Sequence, residues 1–267
     1  MSAPDREALR THLVTARIAG DVATTREDNL MKYGLLAAGV PKSWFGIEPE
    51  GRWHLDDILA LMAEKVGVSP DPWYLRGPDR IDADRTIDAL DRMAPHLAKA
   101  ARDRSRVLLA TGHPAGLLVV HQDLARSLGA AGATVIMGGD GFAWQSTTRW
   151  GKVDRHVRYV GGVAVASDMG NLNHTHSAQP MRGVLAALAE AGEAPPDLVV
   201  ADHGWAGAAG QAGITSVGFA DSNDPALFVG EAEGKIAVAV PVDDNVPPHL
   251  YAPMTAYLLH AAGLPGG

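Results

Sequence analysis

The stretch LVVADHG at residues 198–204 is the first of three similar stretches that decide the fold. It is followed by TSVGFADSND at 215–224 and IAVAVPVDDN at 236–245, and in each a short apolar run ends in polar residues. Brief runs rich in β-branched residues, separated by helix-length segments, predict buried parallel strands. Ligands of such sheets bind beyond the carboxyl ends of the strands. We therefore expect the acidic residues that follow these runs to face one crevice.

Outward from this segment, the chain alternates strand and helix from residue 104 to 267. Apolar runs predict further strands at 107–110, 133–137, 156–160 and 163–166, and helices at 117–128, 179–191 and 251–262. Gly161-Gly162 between two of the strands predicts a two-residue hairpin, and a polar loop is expected at 142–155. The pattern predicts an α/β fold with a doubly wound, mostly parallel, Rossmann-like sheet.

Residues 1–103 read differently, because they show helical periodicity and no convincing strand. Helices are predicted at 5–19, from 24 or 25 to 38, at 54–66 and at 82–101. We interpret this segment as a helical cap laid over the sheet domain of residues 104–267. Trp73, Trp144 and Trp150 lie in predicted loops and are candidates for covering a pocket or a partner subunit, with local packing as the alternative.

Composition limits the partners of this chain. Its 267 residues carry a formal net charge of −8, which argues against binding of nucleic acid or an anionic membrane surface. The absence of cysteine excludes disulfides, thiolate catalysis and Cys-ligated zinc. No apolar run approaches the length of a membrane span, and the N-terminal residues lack the apolar core of a signal peptide. A cytoplasmic protein is the expectation, with a homo-oligomer as a candidate assembly.

The loop Thr111-Gly112-His113-Pro114-Ala115-Gly116 joins the first of the later strands to a helix. Free amides at a helix N-terminus suit a phosphate or a carboxylate, and Pro114 suits the first helical position. We expect Thr111, Gly112 and Gly116 to contact phosphate and His113 to act in catalysis. A simple tight turn is the alternative.

The stretch His174-Thr175-His176-Ser177 precedes a predicted helix. His174 and His176 would project to one side of an extended chain and are candidates for acid–base catalysis or for ion binding. Ser177 is a candidate phosphate contact. A helix-capping role for one histidine is the alternative.

The acidic residues at the strand ends suggest a cation. Asp202, Asp221 and Asn223 are the predicted metal ligands, Asp202 also being a candidate general base or nucleophile, and His203 a candidate phosphate contact. Clustered carboxylates repel one another unless they share a proton or a divalent ion, and oxygen ligands suit Mg²⁺ or Mn²⁺. Helix capping is the alternative for Asp202 and for Asp224, which precedes Pro225.

Several of these segments also carry a family resemblance. They are Arg17-Ile18-Ala19-Gly20-Asp21-Val22-Ala23-Thr24, Ala110-Thr111-Gly112-His113-Pro114, His174-Thr175-His176-Ser177, the run VADHGWAG at 200–207 and the run FADSNDPALF at 219–228. Together they resemble a family of actinobacterial proteins described generically as phosphatases, along nearly the whole chain. The helical cap on a Rossmann-like layer is also similar in outline to the DUF89-type metal-dependent phosphatases.

The leading hypothesis is therefore a metal-dependent phosphomonoesterase that acts on a small phosphorylated metabolite such as a sugar, nucleoside or amino-alcohol phosphate. Arg17 and Arg26 are candidates for neutralising phosphate charge, with surface solvation as the alternative for each. Two other hypotheses stay open. One is a lyase or cyclase acting on a small carboxylate, and the other is a non-catalytic sensor of a phosphorylated ligand.

Overall fold

Four helices and a two-stranded ribbon make up the N-terminal part of the chain in this computed structural model, which describes residues 3–148 and 151–266. In chain order they are α1 (Arg6–Thr15), β1 (Gly20–Thr25), α2 (Arg26–Ala37), α3 (Leu55–Lys65), β2 (Pro78–Ile81) and α4 (Ala83–Arg102). The four predicted helices are confirmed, but the expectation that this segment lacks strands is wrong. β1 and β2 pair antiparallel, and the register between them shifts at a bulge. Strands this short, one opening with Gly20 and the other with Pro78, leave no alternating apolar pattern to read.

The remaining strands form one sheet, which has nine strands within the described residues. They are β3 (Arg106–Thr111), β4 (Thr134–Val135), β5 (Ala143–Thr148), β6 (Gly151–Val160), β7 (Val163–Asp168), β8 (Asn171–Asn173), β9 (Leu198–Asp202), β10 (Thr215–Ala220) and β11 (Val238–Pro241). The order is β11-β10-β9-β3-β7-β6-β5, with β4 paired to β3 and β8 to β7. Strands β11, β10, β9, β3, β7 and β4 pair in parallel, whereas β5, β6 and β8 pair antiparallel to their neighbours. The predicted parallel strands are confirmed in a sheet that is mixed overall.

Helices flank this sheet in two packed groups. The helices that follow α4 are α5 (Pro114–Ala130), α6 (Gln179–Glu190), α7 (His203–Gln211), α8 (Pro225–Ala232) and α9 (Ala252–Ala261). α4, α5 and α9 pack against one another, with α4 on β10 and β11 and α5 on β3 and β7. α7 packs on β3, β9 and β10 and lies between α6 and α8. The central strands are therefore buried on both faces, which explains their continuous apolar sequences.

The antiparallel edge shows one correct and one wrong expectation. Gly161 and Gly162 both have positive φ, 61° and 84°, and they join β6 to β7 as the predicted hairpin. The expected polar loop at 142–155 is instead β5 and the first half of β6. Trp144 is buried in β5, Trp73 is 86% exposed, and Trp150 lies outside the described residues. No described helix is both long enough and apolar enough to cross a bilayer.

Candidate active site

The carboxyl ends of the central strands lie beside one another, because β3 ends at Thr111 and the neighbouring β9 ends at Asp202. The Gly112 amide donates a hydrogen bond of 2.6 Å to Oδ1 of Asp202. The segment between β8 and α6 joins them, since the Thr175 amide donates to the Gly112 carbonyl at 2.9 Å. The segments therefore meet at a single crevice.

Four histidines form a cluster in this crevice. The His203 ring stacks on that of His176 at a centroid distance of 4.7 Å and lies 5.1 Å from that of His174. His113 is 4.6 Å from His174, measured in the same way. The ring of Phe45 lies 5.0 Å from His176 and 5.5 Å from His203. The structure thus brings together all three histidines predicted to be catalytic and His203.

Asp202 supports this cluster from behind and is fully buried. Besides Gly112, it accepts hydrogen bonds from Nδ1 of His203 at 2.7 Å and from Nε2 of His121 at 3.1 Å. Burial alone would raise the pKa of Asp202, but the hydrogen bonds from His121 and His203 hold it well below its ordinary value. An ionised carboxylate only accepts hydrogen bonds, so both imidazoles present an N–H to it. His203 therefore keeps Nε2 for the other side of its ring.

The backbone around His203 is tightly constrained. His203 adopts φ of 48°, a left-handed conformation that non-glycine residues rarely take. A Cβ on Gly112 would lie 2.4 Å from the Thr175 carbonyl oxygen, and one on Gly204 would lie 2.3 Å from that of Ser177. These backbones approach so closely that only glycine fits at both positions. The imidazoles are consequently held by rigid backbone contacts.

Two further carboxylates face His203. Its Nε2 lies 3.2 Å from Oδ2 of Asp224 and 3.6 Å from Oδ2 of Asp244. Burial would lower the pKa of His203, but the charges of Asp224, Asp202 and Asp244 and the hydrogen bond to Asp202 raise it to about 10. Burial raises the pKa of Asp244 to about 6, and it raises that of Asp224 as well.

The helix-capping alternatives are not what the structure shows. Asp202 and Asp224 precede α7 and α8 at the N-cap positions, yet neither side chain makes a capping hydrogen bond. Asp224 instead turns its carboxylate to His203. Both acids therefore belong to the crevice.

Two groups of side chains could hold a metal ion. In the described part of the chain, one group consists of His174, His176 and His203, and the other of His203, Asp224 and Asp244. Within each group the ligand atoms lie within 4.8 Å of one another. His203 belongs to both, and because Asp202 occupies its Nδ1, only Nε2 is left for a shared ligand. This set differs from the predicted ligands Asp202, Asp221 and Asn223.

His174 and His176 are suited to binding an ion because they are neutral. Their Nε2 atoms lie 3.0 Å apart. Partial desolvation, less complete at the more exposed His174, together with the charge of His203, lowers the pKa of His174 to about 4 and that of His176 to about 2. Two facing neutral imidazoles can share one proton or offer two lone pairs to one cation.

The loop after β3 fixes the orientation of His113. Its Nδ1 lies 2.6 Å from the carbonyl oxygen of Asp244, and since a carbonyl only accepts, Nδ1 carries the hydrogen and Nε2 a lone pair. The Thr111 hydroxyl accepts from the His113 amide, and a Cβ on Gly116 would lie 2.0 Å from the Asp244 carbonyl oxygen. The space beside Gly112 and Gly116 is thus occupied by protein backbone and is not open to a phosphate. Ser177 Oγ accepts from the backbone amide two residues on, at the start of α6.

Asp221 and Asn223 engage the N-terminal segment. Asp221 accepts hydrogen bonds from the Thr24 hydroxyl and the Ser222 amide, both at 2.6 Å. Burial, followed by repulsion from neighbouring carboxylates, raises the pKa of Asp221 well above its ordinary value. Asn223 donates its side-chain amide to Asp28 at 2.6 Å. Both residues border the crevice but turn these groups to β1 and α2.

The two predicted arginines do not contact the histidine cluster. Arg17 is exposed and donates to the carbonyls of Asp21 and Val22 in its own turn. Arg26 is fully buried, pairs with Asp79 at 3.1 Å and donates three further hydrogen bonds to backbone carbonyls. Arg26 is therefore neither solvated at the surface nor placed to bind phosphate, because protein groups accept its hydrogen bonds.

The open space beside the cluster is lined by predicted residues and by two lysines that the sequence patterns did not indicate. A small pocket of about 140 Å³ is bordered by Lys32, Lys42 and Asn223 next to His176 and Asp224. Lys32 and Lys42 form no ion pair among the described residues, and Lys32 lies on α2 at the mouth of the crevice. A lysine on an exposed helical face has no distinctive sequence signal.

Comparison with known proteins places these residues in context. A family model described as Phosphatase matches residues 4–266. The chain is similar to Phosphatase SCO2771 of Streptomyces coelicolor, with 51% identity over 263 residues. That alignment covers 98% of this chain and 97% of the Streptomyces protein.

Proposed function

Because the chain belongs to the Phosphatase family, we propose that it is a metal-dependent phosphomonoesterase acting on a small phosphorylated metabolite. The match to an actinobacterial protein of that name confirms the resemblance indicated by the sequence motifs. Metal dependence is supported by one observation above the others, two neighbouring groups of possible ligands that share His203: His174 and His176 on one side, Asp224 and Asp244 on the other.

The proposed ion would replace the proton on Nε2 of His203 and be held with it by Asp224 and Asp244, with the neutral pair His174 and His176 as the ligands on the other side of His203. Five carboxylates of the crevice are at most 7% exposed: Asp202, Asp221, Asp224, Asp243 and Asp244. Such a concentration of buried negative charge favours a bound cation. Imidazole ligands suit zinc or iron, and carboxylates suit manganese, so this mixed set disfavours magnesium. When bound, the ion would polarise the phosphoryl group and lower the pKa of a water molecule.

The protein's own groups supply the remaining steps. Asp202 accepts a hydrogen bond from the Nδ1–H of His203 and so fixes the orientation of the ring, as carboxylates commonly do for metal-binding histidines. His113 presents an Nε2 lone pair and takes a proton from the attacking water as general base. Lys32 and Lys42 border the small pocket and neutralise charge on the phosphate oxygens.

The test measures bound metal and phosphate release on the same samples. Protein stripped by a chelator is expected to release no phosphate from a panel of sugar, nucleoside and amino-alcohol phosphates, and to recover on addition of Mn²⁺ or Zn²⁺. Asp244→Asn should lose metal, seen by elemental analysis, and lower kcat/KM by about 100-fold or more. Asp154→Asn, which changes an exposed acid on β6, is the matched control.

Two results would contradict the proposal. One is full activity in protein from which elemental analysis detects no metal. The other is a panel that stays silent with Mn²⁺, Zn²⁺ and Mg²⁺ present, with each ester recovered intact.

A further inference from the structure

We infer that the substrate is a hydroxylated phosphate monoester that carries a second anionic group, and that Arg182 binds this group. The inference rests on the proposed phosphomonoesterase function and names the substrate class of the same site. It is drawn from the cleft that opens beside the histidine cluster.

The cleft has the size of a substrate site and is continuous with the crevice. Its volume is about 770 Å³, within the usual range for small-molecule sites. Lys42, Phe45 and His176 line both this cleft and the small pocket that reaches Asp224. A phosphate at the ion would therefore leave the rest of its ester in the larger cleft.

The walls of the cleft are suited to hydroxyl groups. β5 contributes Gln145, Ser146 and Thr147, and the start of α6 contributes Gln179. Amide and hydroxyl side chains both donate and accept hydrogen bonds, as sugar hydroxyls do. The Trp44 and Phe45 rings supply an apolar surface on another side.

In the described part of the chain, three charged residues line the cleft, Lys42, Glu48 and Arg182, and Arg182 is the guanidinium among them. Its guanidinium makes one weak hydrogen bond, 3.4 Å to the carbonyl of Gly46, the residue after Phe45. Among the described residues it has no carboxylate partner; exposed arginines elsewhere, such as Arg52 and Arg80, also lack one, but Arg182 is the arginine that lines this cleft. An unpaired guanidinium on the wall of a cleft binds a carboxylate or a phosphate with two parallel hydrogen bonds. The anion it lacks is thus supplied by the ligand.

The experiment compares two esters that differ only at the far end. 6-Phosphogluconate carries a carboxylate where sorbitol 6-phosphate carries a hydroxymethyl group. We expect kcat/KM to favour the acid by at least about 10-fold, mainly through a lower KM. Arg182→Gln should remove this preference while keeping the rate on sorbitol 6-phosphate, and Arg182→Lys should restore part of it. Arg52→Gln, an exposed arginine outside the cleft, is the control.

A second pair identifies the anion. In fructose 1,6-bisphosphate the second anionic group is a phosphate, and fructose 6-phosphate is the matched ester without it. The pair that shows the larger preference for the ester with two anionic groups identifies the group that Arg182 binds. Equal kcat/KM for the esters with and without the second anionic group in both pairs, or an Arg182→Gln variant that lowers kcat/KM for all esters alike, would overturn the inference.

Calorimetric titration separates this inference from the proposed function. If no ester is hydrolysed but the acidic ligand binds more tightly and only through Arg182, the phosphatase proposal fails and the ligand class stands. If phosphate is released without any preference for the acidic ligand, the phosphatase proposal stands and the ligand class fails. If the esters are neither bound nor hydrolysed, both are wrong.

Discussion

His121 shows how a single side chain far from the open cleft can hold the site in place. It is fully buried on α5, its Nε2 donates to Asp202, and its Nδ1 has no hydrogen-bond partner. Through Asp202 it bears on the orientation of His203. It is a positioning residue, because it touches neither the cleft nor the small pocket.

Replacing His121 should therefore destabilise the protein as well as the site. His121→Phe leaves Oδ2 of Asp202 buried without a donor, and an unsatisfied buried acceptor costs roughly 1–3 kcal/mol, more when it is charged. His121→Gln keeps an N–H and should recover much of that free energy of unfolding. Urea titration measures both variants. Equal stability of His121→Phe and the parent chain would show that Asp202 does not depend on this hydrogen bond.

Sequence patterns singled out the histidines that the structure brings together, but they did not indicate the ligand set proposed here. His113, His174, His176 and His203 stand at strand or helix ends, where a local pattern places them. Asp221 and Asp224 both follow β10. Asp224 faces His203, whereas the Asp221 carboxylate accepts a hydrogen bond from the Thr24 hydroxyl. That contact joins residues 197 positions apart, so no local pattern reports it.

At the scale of elements, the ribbon of β1 and β2 links the N-terminal part to the crevice. The Ala23 amide donates to the Asp243 carboxylate at 3.1 Å, and the Asp243 amide donates to the Ile18 carbonyl at 2.8 Å. The buried pair of Arg26 and Asp79 fixes the ribbon, and Asn29 donates to the same carboxylate. The ribbon thus contributes to the wall of the site although it carries none of the proposed ligands.

Breaking this ion pair should loosen the ribbon. Arg26→Met leaves Asp79 buried and short of a donor, so we expect a loss of roughly 3–5 kcal/mol in the free energy of unfolding. Arg80→Met, which changes an exposed arginine next to Asp79 on β2, should change the free energy of unfolding by less than about 0.5 kcal/mol. Hydrogen exchange should locate the faster amides of Arg26→Met in β1 and β2. Exchange that is unchanged there would contradict this account.

The strands that sequence reading missed share a physical cause. β3, β9 and β10 are buried on both faces and read as continuous apolar runs. β5 alternates exposed and at least partly buried positions with mainly polar residues, and within the described residues β1 and β2 form a separate sheet of two strands. Their formation depends on pairing partners, which propensity does not encode.

At the scale of the whole molecule, the proposed ion would join segments that lie far apart in the chain. His174 and His176 precede α6, Asp224 precedes α8, and Asp244 follows β11. An ion that binds only the folded state stabilises it in proportion to ligand concentration, by about 2.7 kcal/mol at a concentration 100 times its Kd. Mn²⁺ or Zn²⁺ should accordingly raise the melting temperature of chelator-treated protein.

The raised melting temperature should disappear in His203→Asn and persist in His249→Asn, which alters an exposed histidine outside the cluster. Differential scanning fluorimetry with and without each ion measures the effect. An equal shift in both variants would show that the ion binds elsewhere.

The hydrogen bond from Ala23 to Asp243 also bears on how the protein is made. Its donor leaves the ribosome early, while its acceptor is synthesised 220 positions later. Until translation is nearly complete, the N-terminal ribbon of the nascent chain therefore lacks Asp243 as its hydrogen-bond acceptor. A chain that stops before the last strand lacks Asp243 and Asp244, so the crevice is completed only late in synthesis.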